Sequence, residues 1–156
     1  MTTPSDPPRP EDITTDLVEY LVVVVPGPDA LTSIGLALRR VVGSSTIRIL
    51  DLVVVEIDDG GTAHVLEADA VPDLESIRQA STCYGVFLSR HDIDLVSLAL
   101  QPGHCAVVLV AEDRWARPLA AAVHAVGGEI RAGERIARSR VEAALARAMP
   151  PSEGNR

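Results

Sequence analysis

Twice along this chain a valine-rich run stops at a short polar turn and resumes as a helix with an apolar stripe. The first is "YLVVVVPGPDALTSIGLALRR", residues 20–40, and the second is "HCAVVLVAEDRWARPLAAAVHAVGG", residues 104–128. Valine is branched at Cβ and stiff at χ1, so such runs favour strands. In the first run four valines stand in succession, which predicts burial on both faces and a central place in a sheet. After it, Leu31, Ile34, Leu38 and Val41 recur at helical spacing, with Asp29 a candidate N-cap and Gly43 a candidate C-cap. The chain therefore repeats one strand–turn–helix unit, and both copies need the same sheet.

Between the copies, "TIRILDLVVVEID" reads as a second strand in which Ile47, Ile49 and Asp51 share a face. "DDGG", residues 58–61, signals a hairpin, because a tight turn needs positive φ. "TAHVLEA" returns as an exposed or edge strand. Residues 73–100 read as helical. A short helix begins near Leu74 and Ile77, and a second begins at Ser89 as N-cap, with Asp92 and Asp94 at the positive end of its dipole. Beyond the second unit, Gly127 and Gly128 close the helix, "EIRAG" can form a last strand, and "ERIARSRVEAALARAM" is an amphipathic helix. The order β-α-β-β-α-β predicts an α+β fold: a ferredoxin-like split β-α-β antiparallel sheet, helices on one face, a helical insert and an extra C-terminal helix. A doubly wound parallel sheet is disfavoured, since the hairpin needs antiparallel neighbours.

The polar, Pro-rich stretch 1–15 reads as a disordered arm and residues 150–156 as a similar tail, leaving one domain over 16–149. With 156 residues the chain is long enough to bury a real core. Aromatic residues are only 3% of it, so that core is Val, Leu, Ile and Ala. The net charge is −8 and all fourteen basic residues are Arg. An acidic balance disfavours nucleic acid and anionic membrane surfaces, which need a concentrated positive face. No uncharged apolar run reaches the roughly 18 residues of a membrane span. No charged n-region and hydrophobic h-region open the chain, so secretion by a signal peptide is not expected, and a cytoplasmic location with reduced Cys83 and Cys105 is.

The stretches "VEYLVVVVPG", "TIRILDLVVVEIDDGG", "DIDLVSLALQPGHCAVVLVAEDRWARPLAAAVHAVGG" and "RIARSRVEAAL" resemble an uncharacterised actinobacterial family of small cytoplasmic proteins, domain-of-unknown-function family 6325. More distantly the chain is similar to domain-of-unknown-function family 1269. Members of that broader family carry a Gly-rich apolar hairpin where this chain has the shorter, polar-interrupted "LESIRQASTCYGVFLS". The resemblance supports the fold and implies no activity, cofactor or catalytic residue.

The first unit resembles the start of a phosphate-binding fold, but its chemistry argues against one. A Walker loop needs a Lys, and the chain has none. "PGPDAL" has one Gly and two prolines that lack amide donors. Metal binding has no CxxC or HxxxH spacing, and the adjacent His104 and Cys105 point to opposite faces of a strand. No GxSxG elbow exists, and Cys83 with His91 is a weak catalytic pair. The most specific patch is "AEDRWARPL", where Glu112 and Asp113 are expected to begin a helix with Pro118 in its first turns. Trp115, the only Trp, is a candidate interface or ligand wall together with Arg114, Arg117 and His124. Arg114 and Arg117 beside Glu112 and Asp113 read as a solvated charge cluster. The sequence thus points away from an enzyme and names no cofactor. It suggests a self-associating module, a homodimer, with a regulatory or stress-related role. A small-molecule sensor with its ligand at the sheet face or dimer seam is the alternative. An enzyme using a site near Trp115 and His124 comes third.

Overall fold

The computed structural model describes residues 13–80, 86–131 and 136–148. The expected arm falls outside the described residues up to residue 12, and so do Cys83 and the tail from residue 150. Four strands, β1 (Val18–Val25), β2 (Ile47–Ile57), β3 (Ala63–Glu67) and β4 (Cys105–Asp113), form one antiparallel sheet in the order β1-β4-β2-β3. The helices are α1 (Leu31–Gly43), α2 (Glu75–Ala80), α3 (Arg90–Ala99), α4 (Arg117–Ala125) and α5 (Arg138–Ala148). This is the α+β class that the residue pattern predicts, with the hairpin at residues 58–62 joining β2 to β3.

Two split units interlock in the sheet. β4 lies between β1 and β2, and β2 lies between β3 and β4. This order departs from the ferredoxin-like arrangement, because the first strand sits at an edge. The central position expected for β1 is corrected accordingly: its Tyr20 and Val24 are 47% and 54% exposed. β4, also valine-rich, is buried from Cys105 to Glu112. "EIRAG" adds no fifth strand among the described residues: Glu129 to Arg131 take no part in the sheet, and residues 132–133 lie outside the described set.

A β-bulge in β2 decides which side chains meet which helix. Ile49 pairs with Ala111 and Asp51 with Val110, so Leu50 is the extra residue. The alternation changes phase there. Ile49, Leu52 and Val54 pack with Cys105, Val107 and Leu109 under α1 and α2. Val53, Val55 and Ile57 pack with Ala106 and Val108 under Val96 and Ile93 of α3. Asp51 thereby parts from Ile47 and Ile49, contrary to the reading from simple alternation. The helices lie on both faces of the sheet, not one, because the interior strands are apolar on both sides and each side must be covered.

The α1 face is closed. Leu31 is buried there and Ile34, Leu38 and Val42 are partly so. Gly35 lets α1 approach the chain entering α2: a Cβ at that position would stand 2.9 Å from the Cβ of Asp73. Arg39 reaches the same Asp73 at 3.3 Å. Asp29 lies in a 3-10 turn (Pro28–Ala30) and gives no side-chain cap to α1, whose N-cap is Ala30. Ser89 does cap α3, in a reciprocal box with Asp92.

Candidate functional site

The α3 face differs from the α1 face in chemistry as well as cover. Its sheet side carries Tyr20, Val22 and Val24 from β1, Ala106, Val108, Val110 and Glu112 from β4, and Arg48, Asp51, Val53 and Val55 from β2, as the pairing registers require. Among the described residues the two buried charged ones, Asp51 and Glu112, are on this side.

Asp51 ties the chain entering α3 to the sheet. Its carboxylate accepts from the amides of Phe87 at 3.0 Å, Leu88 at 2.9 Å and Leu52 at 3.0 Å. Three amide donors satisfy its oxygens, which is how a buried polar group is accommodated. The Ser89–Asp92 box follows at once. The Ser89 amide and hydroxyl donate to Asp92 at 2.9 and 2.6 Å, and the Asp92 amide donates to the Ser89 hydroxyl at 3.2 Å. These bonds hold the Asp92 carboxyl below its ordinary range, the Ser89 side chain being the largest cause. The entry to α3 is therefore fixed by side chains.

Between α3 and β1 the cover stops. A groove of 370 Å³ opens there, lined by Tyr20, Val22 and Val24 on one side and by Asp92, Leu95, Val96, Ala99 and Leu100 on the other. Leu95 and Leu98 of α3 are exposed, Leu98 to 84%. The polar contributions are the Tyr20 phenol and the Asp92 carboxylate. Partial burial pushes the phenol upward, and the negative charge of Asp92 adds to it. The groove has one hydrogen-bonding end and a long apolar wall.

At the far end of the same face Glu112 is fully buried. Arg48 donates to its Oε2 at 2.5 Å, and Arg117 Nε stands 3.6 Å from its Oε1. Glu112 and Asp113 close β4 and do not begin a helix; a 3-10 turn (Arg114–Ala116) intervenes before α4. The solvated cluster expected from "AEDR" is corrected on this point: the register sets Glu112 beside Arg48 and Val18 inside the sheet. Sequence spacing carried no sign of the pair, because its members are 64 residues apart.

The four residues singled out from the sequence are not drawn together as one site. Trp115 is 65% exposed, and its amide donates to the Thr46 carbonyl at 3.2 Å. Arg114 is half-buried in the same turn, and Arg117 faces Glu112. His124 bonds Asp16 at 3.0 Å, 108 residues away. Among the described residues no hydrogen bond or ion pair joins Trp115 to His124. Sequence reasoning missed Tyr20, Asp51 and Asp92 as shapers of a site. The available signal was Tyr20 itself, an aromatic in the strand of an aromatic-poor chain.

Cys105 is buried on the α1 face, where desolvation raises its thiol pKa and Glu56 adds to the rise. A thiol so placed is a poor nucleophile. Among the described residues no group of three or more His, Cys, Asp and Glu could hold a metal ion. No helix of the described residues is long and apolar enough to cross a membrane.

A model of a family of unknown function, DUF6325, matches residues 15–151. No curated protein and no solved structure matches the chain.

Proposed function

The chain belongs to that family of unknown function, and we propose that it is a non-enzymatic module that self-associates, as a homodimer, through the edge of β1 that no described strand pairs with. One observation carries the reading: an eight-residue strand, VEYLVVVV, lies at the sheet edge with two large side chains exposed. An unprotected edge presents backbone donors and acceptors that pair with another strand, and proteins usually blunt such edges with charge, Pro or a bulge. β1 has one charge, Glu19, and no Pro or bulge within its ladder. The opposite edge is different: β3 is five residues long and carries His64, which is bonded to Asp58 at 2.9 Å, and Glu67. A scaffold or interaction role, regulatory or stress-related, is part of the same proposal.

Sedimentation equilibrium tests this directly. The wild type should sediment as a dimer at micromolar concentration, and Val24→Glu as a monomer. With −8 on each copy, added salt should strengthen the dimer by screening. A monomeric wild type at high protein and high salt ends the reading.

The groove favours a second reading, a small-molecule sensor whose ligand lies on the sheet face beside the seam. Its apolar wall and single phenol suit an amphipathic molecule with one polar group. Native mass spectrometry on protein purified without tags would show a mass excess that disappears on denaturation. A bare mass at every preparation counts against it.

A further inference from the structure

We infer that the partner on the β1 edge is a second copy of this chain in one antiparallel register, with Val22 on the two-fold axis. The inference rests on the self-association proposed above and specifies its geometry.

The exposure pattern of β1 carries it. Tyr20 and Val24 are the exposed residues of the strand, and Val22 lies midway between them on the same face. In an antiparallel pair, residues directly opposite point to the same side, so the numbers of paired residues in a symmetric β1–β1 ladder must sum to an even value. In the β1–β4 ladder opposite residues likewise share a face, with Tyr20 opposite Val110 and Val22 opposite Val108. Centring the ladder on Val22 puts Tyr20 of each copy opposite Val24 of the other. Both exposed side chains are then covered in one step, as two aromatic–aliphatic pairs of the kind that stabilise sheets.

The ends of the strand select the same register. Glu19 comes opposite Val25 of the second copy, so like charges are not stacked in a chain that already carries −8. Val18 comes opposite Pro26, which has no amide to donate and ends the ladder. Centring on Leu21 would leave Val25 unpaired and set Tyr20 against Val22, keeping Val24 only at the frayed end. In the Val22 register the sheet continues through eight strands, and the α3 helices of both copies lie on one side of it. The two grooves then meet above the paired β1 strands.

Cysteine cross-linking reads the register. In a Cys83→Ser background, Tyr20→Cys and Val24→Cys proteins are mixed and oxidised with copper phenanthroline. Both positions are exposed, so both variants should keep the fold, which circular dichroism checks. The mixture should give at least a tenfold higher yield of covalent dimer than either protein alone. In a dimer of the Tyr20→Cys protein alone, the two new thiols would lie four positions apart along the strands, on the order of 13 Å and beyond the reach of a disulfide. Val22→Cys alone should cross-link to itself. Wild-type dimer by sedimentation, with no excess of cross-linking in the mixture, overturns the register and leaves self-association standing. Cross-linking of Tyr20→Cys with Val22→Cys in preference to Val24→Cys also overturns it, in favour of the Leu21-centred ladder. A wild type that is monomeric throughout removes both.

Discussion

β1 and β4 are both valine-rich strands, and they occupy opposite environments. β1 reads VEYLVVVV and β4 reads CAVVLVAED, and they pair along their length, with Val23 opposite Val107. Yet β4 is buried on both faces while β1 is half-buried, with two exposed side chains. An apolar run specifies a strand that seeks burial on both faces. It does not specify whether the chain's own elements supply that burial. For β4 they do, through β1 and β2 as neighbours and through helices on both sides. For β1, no described strand pairs along one edge, and Tyr20 and Val24 stay exposed on one face.

The comparison is broken most severely at the buried charge pair. Arg48→Leu would leave the buried Glu112 carboxyl inside the sheet without its 2.5 Å partner. Removing one member of a buried pair costs about 3–5 kcal/mol. Urea denaturation should show that loss, and Arg48→Met combined with Glu112→Leu should recover most of it, because an apolar pair of similar volume has no charge to desolvate. A single-variant loss below about 1 kcal/mol would mean that Glu112 is solvated in solution, at the level expected of a surface pair.

Substituting two directly paired valines tests the environments themselves. Val107→Ala deletes two buried carbons in the sheet centre and leaves a cavity, at about 2–3 kcal/mol. Val23→Ala, its partner across the ladder, is partly open to solvent and should cost less than half as much. Equal losses would show that β1 is as enclosed as β4, the outcome expected if the strand is already covered in a dimer. Measuring both at low protein concentration, and again with Val24→Glu added, separates the monomer from the assembly.

Local signals made much of this fold legible. Branched residues marked all three long strands, Asp58 to Gly61 marked the hairpin, and Ser89 with Asp92 marked the start of α3. What escaped were properties set by pairing. Which of two valine-rich strands takes the centre depends on topology, and both look alike one at a time. The bulge at Leu50 exchanged the faces of β2 and sent Asp51 to the α3 side, although alternation placed it with Ile49. Glu112 looked solvated beside Arg114 and Arg117, because its partner Arg48 is 64 residues away. The patch around Trp115 was visible as composition, but the groove needs Tyr20 and Asp92 from separate elements, and no spacing rule links them.

A milder change acts on the wall of the groove. Ser89→Ala removes the cap that starts α3 and should cost about 1 kcal/mol. The loss should appear as faster hydrogen exchange in the first turn of α3, with β4 unaffected, since Asp51 still holds the preceding amides. Faster exchange spread evenly over α3 and β4 would mean that the cap supports the whole fold and not the groove alone.

The smallest effect is the titration of Tyr20, and it reports on β1 alone. Burial is the larger cause that raises its phenol above the ordinary value of 10.0, and Asp92 is the smaller one. The folded chain therefore keeps a proton that the unfolded chain has lost. The resulting stability is fully present below pH 10.0 and is lost as pH rises through the folded value. In a Tyr84→Phe background the phenolate absorbance follows Tyr20 only. Its midpoint should lie above that of free tyrosine, and Asp92→Asn should bring it part of the way back, leaving the burial contribution. Pairing with Val24 of a second copy would bury the phenol further, so the wild-type midpoint should exceed that of the Val24→Glu monomer. A midpoint that is the same in both, in a wild type that is dimeric by sedimentation, would place the seam away from β1.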